Sequence, residues 1–129
     1  MSRHGQWYQE DGSLVLVEAL GTLATIPTGG MTALCVTLSL SSGSAVDQFQ
    51  IQVKANPDSS DFVTLSSAGA DFTTPKGIIK MASGDITALA ASTTGAFILD
   101  VTGVYQVRLL AARAAAGGGS TLTYYAGGN

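Results

Sequence analysis

The chain has 129 residues, of which 12% are charged, with six Lys and Arg against nine Asp and Glu and a formal net charge of −3. That length bounds a single domain, and the charged share is about half the roughly 25% of an average soluble domain. The six cations (Arg3, Lys54, Lys76, Lys80, Arg108 and Arg113) are scattered along the sequence, which argues against the basic stripe of a nucleic-acid binder.

In chain order, Met1 to Gly12 reads as a polar N-terminal arm carrying Trp7 and Tyr8, ahead of a single β-sandwich domain over residues 13–129. The arm has no apolar core of the kind a signal peptide needs. No apolar run in the chain approaches the roughly 20 residues of a membrane span. The expectation is a protein made in a cytoplasm, with neither a membrane nor a nucleic acid as partner.

Ser13 to Thr25 reads as a first strand, apolar on both faces, with Gly21 as a candidate bulge. Ile26-Pro27-Thr28-Gly29-Gly30 ends it. From Ala33 to Ser41, Leu34, Val36, Leu38 and Leu40 alternate with Cys35, Thr37 and Ser39, the period of a half-buried strand. Asp47 to Asn56 repeats the pattern, with Phe49, Ile51 and Val53 against Gln48, Gln50, Gln52 and Lys54. Asn56-Pro57-Asp58 is a turn, since Pro fixes φ and Asn bonds nearby backbone.

Phe62 to Ser66 is the next short strand, and Ser67 to Gly77 a loop. Ile78 to Ala82 is a strand, and Ile86 to Ala91 suits either a helical turn or a strand. Ala96 to Asp100 and Tyr105 to Arg113 follow as strands around the Thr102-Gly103 turn. Ser120 to Ala126 closes the fold, and Gly127-Gly128-Asn129 reads as a frayed tail. About eight short strands and no long helical period predict an all-β fold, an antiparallel β-sandwich or jelly roll.

Candidate chemistry is sparse. His4 is the only histidine and has no triad partner at a recognisable spacing. Cys35 is the only cysteine, so no internal disulfide or Cys/His zinc set exists, and free Cys is usually a small buried hydrophobe. Asp58 and Asp61 lack the oxygen ladder of a calcium loop. Asp71, Asp85 and Asp100 sit beside turn residues, where Asp bonds its own backbone. Gly117-Gly118-Gly119-Ser120 precedes a strand and lacks the Lys of a phosphate loop. No catalytic residue, metal or cofactor is expected. Tyr124 and Tyr125 must face opposite sides of their strand, one toward the core and one toward the surface. Trp7 and Tyr8 are the candidate interface residues, because aromatics in a polar arm need something to dock on.

Two stretches resemble small tailed-bacteriophage virion structural proteins. One runs from Asp47 to Ala55 through Asn56-Pro57-Asp58 to Phe62-Val63-Thr64-Leu65. The other runs from Phe97 through Asp100, Gly103 and Val107-Arg108 to Leu109. Tyr105-x-Val107 is also similar to the tyrosine corner of immunoglobulin-like domains, with Val107 where an antibody domain has its second Cys. The virion resemblance implies a non-enzymatic protein of the virion, made in the host cytoplasm. It implies a capsid decoration (cement) or head or tail accessory role, with the major capsid protein or another virion protein as partner. The low charge adds an expectation of homo-oligomers, since a subunit covered by neighbours needs little surface charge. The alternative is a receptor- or carbohydrate-binding β-sandwich of a tail fibre or adhesin.

Overall fold

Strand structure begins earlier in the chain than its local pattern predicts. In the computed structural model, which describes residues 7–58, 60–66, 79–83, 86–114 and 118–129, the first strand, β1, is Tyr8–Val15. Eight more follow: β2 (Gly21–Pro27), β3 (Ala33–Leu40), β4 (Val46–Lys54), β5 (Val63–Ser66), β6 (Ile79–Ala82), β7 (Thr94–Asp100), β8 (Gln106–Arg113) and β9 (Thr121–Gly128). A 3-10 turn at Ile86–Ala88 settles the ambiguous segment before β7 as helical. The predicted loop from Ser67 to Gly77 and the first predicted residue of β6, Ile78, lie outside the described residues, as does His4.

The strands form two antiparallel sheets, one in the order β1-β9-β3-β7-β6 and the other β2-β8-β4-β5. The protein is an all-β sandwich, as its period-two pattern predicts. One predicted strand, Ser13 to Thr25, is in fact two strands in different sheets. Leu16 is buried at the crossing, while Val15 and Val17 stay exposed. The segment looks apolar on both faces because it turns a corner between layers. Gly21 opens β2, and the register shift lies beyond it, between Thr22 and Ala24.

Two further expectations are corrected. Residues 8–12 of the predicted arm are part of β1, paired residue for residue with β9 from Tyr8↔Gly128 to Gly12↔Tyr124. The tail is not frayed: Gly127 and Gly128 belong to β9, and the Asn129 carbonyl accepts from the N–H groups of Thr32 and Ala33. A Cβ on Gly128 would fall 2.1 Å from the Ala33 carbonyl oxygen, so the close approach of β9 and β3 there requires glycine.

The core lies between the sheets. Leu34, Val36, Leu38 and Leu40 of β3 and Phe97 and Leu99 of β7 meet Phe49 and Ile51 of β4 and Val107 and Leu109 of β8, all at 2% exposure or less. Phe49 and Phe97 join the sheets edge to face, with centroids 5.8 Å apart and an interplanar angle of 71°, a favoured aromatic geometry. Ile86 and Leu89 close one end over Gly95, where a Cβ would lie 2.7 Å from the Ile86 side chain. Gln50, Gln52 and Lys54 alternate outward from β4, as read from the sequence.

Turn chemistry accounts for the connections. The Asp58 N–H donates to Asn56 Oδ1 (2.9 Å), and the Thr102 N–H to Asp100 Oδ1 (3.1 Å). Both are Asx turns, and Gly103 completes the second at φ +81°. The loop before β9 is tied to the β3–β4 turn, with Ser44 Oγ donating to the Gly118 carbonyl and Ser120 Oγ to the Ser44 carbonyl.

Candidate functional site

The alternation of β1 sends Trp7 and Tyr8 to opposite sides. Tyr8 points inward and packs against the core. Its hydroxyl donates to Glu10, and the Tyr124 hydroxyl donates to the other oxygen of the same carboxylate. Burial, and then the bond to Glu10, push the Tyr124 phenol well above the usual tyrosine range. Gly12 makes room for this arrangement, since a Cβ there would lie 2.9 Å from the Tyr124 ring. Tyr8, Glu10 and Tyr124 thus anchor the N-terminal strand to the C-terminal one. Tyr8 is a packing residue in this fold.

Trp7 faces outward and is 63% exposed. Its indole lies over Gly127, where a Cβ would fall 2.7 Å from the ring. On the adjacent strand β9, Tyr125 stands on the same face and is 58% exposed, while Tyr124 is buried, so this tyrosine pair divides as expected. Trp7, Tyr125, Gln9 and Asp11 border a depression of about 390 Å³ whose floor includes Cys35 and Gly127. Cys35 also borders a shallower apolar depression of about 230 Å³ formed with Ala82, Ala96 and Ile98. Together they make a trough across the outer face of the five-stranded sheet, from β1 to β6.

The strand register defines the rows of this face. Gln9, Gly127, Cys35 and Ile98 form one row; Asp11, Tyr125, Thr37 and Ala96 the next; Ser13, Thr123, Ser39 and Thr94 a third made only of hydroxyl side chains. Asp11 and Asp100 are the charges this face carries among its described side chains. Cys35 is half-buried on this outer face, not enclosed in the core as a small hydrophobe. Strand parity predicts its side, but the depth comes from Gly127 and Ile98 on either flank.

The outer face of the other sheet holds a second cluster. Arg108 Nε and Nη2 both donate to Gln52 Oε1 (2.9 and 2.6 Å), and the guanidinium lies 4.2 Å from the centre of the Phe62 ring. Lys54 Nζ approaches the same ring at 5.5 Å. Gln52 Nε2 donates in turn to Thr64 Oγ1 (3.3 Å). These contacts satisfy one another and fasten the short β5 to β4 and β8, which is a structural task. Reading the sequence for motifs misses this cluster. The available signal is that Gln52 and Arg108 share outward parity and Phe62 stands just ahead of β5.

Tyr105 holds the β7–β8 corner through its backbone: its N–H donates to the Lys54 carbonyl, and its own carbonyl accepts from Thr28 and Gly29. Among the described residues, no three His, Cys, Asp or Glu side chains come together closely enough to hold a metal ion.

No protein-family model matches the chain, and no curated protein does. Among solved structures it is similar to the SPBc2 prophage-derived protein YomS, at 13% identity and a TM-score of 0.46, over 93% of this chain and 95% of that one. It is also similar to a chain from a structure of Bacillus endospore appendages, described as a novel family of disulfide-linked pili. There the identity is 9% and the TM-score 0.45, over 92% of this chain and 84% of that one.

Proposed function

We propose that this chain is a non-catalytic virion structural protein that reinforces a tailed-phage capsid by docking on the major capsid protein. The observation that carries the reading is the outer face of the five-stranded sheet. A sheet face meant only for water is expected to carry charged side chains. This one carries Trp7, Tyr125, Val15 and Ile98 among hydroxyls, glycine and alanine, with Asp11 and Asp100 as its described charges. Depletion of charge around large aromatics is the composition of a protein–protein interface core. The resemblance of the β4–β5 and β7–β8 segments to virion proteins supplies the partner class. In this reading the protein is made in the host cytoplasm and ends on the virion, with Trp7 as an anchor.

The test is co-sedimentation of the purified chain with capsids of its source phage. Wild type is expected to pellet with capsids. Trp7→Ala with Tyr125→Ser is expected to bind at least about tenfold more weakly, the loss of one hot-spot aromatic or more. Wild type that stays in the supernatant, or a double variant that binds as well as wild type, overturns the proposal.

One observation favours a second reading, the glycan-binding module. Trp7 and Tyr125 flank a depression that also presents Gln9 and Asp11, and an aromatic platform beside polar acceptors suits a sugar ring. Binding on a glycan array that Trp7→Ala abolishes, together with indifference to capsids, favours that reading.

A further inference from the structure

The two sheets of a sandwich have four edge strands, whose outer N–H and C=O groups invite pairing with another chain. Proteins blunt such edges with short strands, bulges, Pro or charged side chains, Lys above all. Three of the four edges here are blunted. β5 and β6 have four residues each, and both pair through a register shift. β2 carries a register shift and ends in Pro27. β1 is the least blunted: it runs eight residues in unbroken register, without Pro or Lys, and its charges are Glu10, turned inward and bonded by the Tyr8 and Tyr124 hydroxyls, and Asp11.

One hydrogen bond fixes which groups point out of this edge. The Leu16 N–H donates to the Ser120 carbonyl, continuing the register in which Leu14 opposes Leu122 and Val15 opposes Thr121. In an antiparallel pair the bonded residues alternate, so the even residues of β1 bond β9. The odd residues Gln9, Asp11, Ser13 and Val15 then turn N–H and C=O to the open side. The Val17 carbonyl obeys the same phase, facing away from β9 to accept from the Arg113 N–H.

We propose that the open edge of β1 is a homodimer interface, where β1 of a second copy pairs antiparallel across a two-fold axis at Gly12 and joins the two five-stranded sheets into one. The side chains select the second copy and this register. Pairing centred on Asp11 would set that carboxylate against its own copy, and like charges directly opposite are destabilising. Pairing centred on Gly12 sets Asp11 opposite Ser13 and Gln9 opposite Val15. Val15 is 63% exposed, and this register covers it against Gln9 of the second copy. The strand is its own complement.

Directly opposed residues share a face, so both copies present their troughs on the same side. The inference goes beyond the capsid reading and does not depend on it.

The experiment is sedimentation velocity of the full chain in reductant, from micromolar to near-millimolar concentration, for wild type, Ser13→Pro and Val15→Lys. Proline at position 13 removes an N–H that points to the open edge and leaves the bonds to β9 in place. Lysine at exposed position 15 is an edge-protecting charge and decides alone if the proline variant fails to fold. Wild type is expected to move from monomer to dimer mass with concentration. Val15→Lys is expected to remain a monomer with the wild-type circular dichroism spectrum. Wild type that is monomeric throughout, or Val15→Lys that dimerises as wild type does, overturns the proposal. Capsid co-sedimentation of the same preparations reports separately on the capsid reading.

Discussion

Gly128 and Gly118 are the same residue in opposite circumstances. At Gly118 an added Cβ meets no atom within 4 Å, whereas at Gly128 it meets the backbone of β3 at 2.1 Å. Gly128→Ala is therefore expected to lower stability by about 1–3 kcal/mol, the range for overpacking, and Gly118→Ala to leave it unchanged; urea denaturation of both measures the contrast. Tyr124 makes a prediction in pH. Its phenol is raised in the folded state above the unfolded value of about 10. The unfolded chain therefore releases this proton first as pH rises. The stability tied to it is complete below about pH 10 and is lost as pH climbs toward the folded value. Urea midpoints measured across the alkaline range are expected to fall for wild type and to fall less steeply for Tyr124→Phe. Equal slopes would mean that Tyr124 ionises as readily folded as unfolded.

At the scale of the element, β4 shows what a sequence discloses about a strand and β1 shows what it conceals. Phe49 and Ile51 are completely buried while Gln50 and Gln52 are partly exposed, as the alternation alone predicts. Ile51→Ala is expected to cost about 2–4 kcal/mol, and Gln50→Ala no more than about 0.5 kcal/mol, by chemical denaturation; similar losses would mean that both faces of β4 are packed. β1 alternates just as regularly, but its inward set includes Glu10 and Gly12. Neither residue reads as core, because what completes them is Tyr124, more than a hundred residues away. A local window sees a polar arm; only the pairing with β9 makes it a strand. The same blindness applies to the trough. Trp7 and Tyr125 each stand out in sequence, but their sharing of a face depends on the β1–β9 register. The corner at Leu16 is concealed for a different reason: an apolar run that changes sheet looks like one long buried strand.

For the whole molecule, the strand order β1-β9-β3 sets a timetable. β9, an interior strand, is made after both strands it pairs with, and until it arrives β1 lacks its neighbour in this sheet. Most β1 contacts, those with β9, thus close a loop spanning most of the chain, the costliest kind of closure in conformational entropy. Topologies of this kind fold slowly, on a scale of about milliseconds to seconds, so stopped-flow refolding is expected to fall in that range; a microsecond phase carrying the full amplitude would contradict it. During synthesis β1 and β3 wait with the flanks that β9 will fill open to each other and to other nascent chains. The absence of an early partner for β1 makes premature pairing of these two strands the characteristic misfolding hazard of this topology.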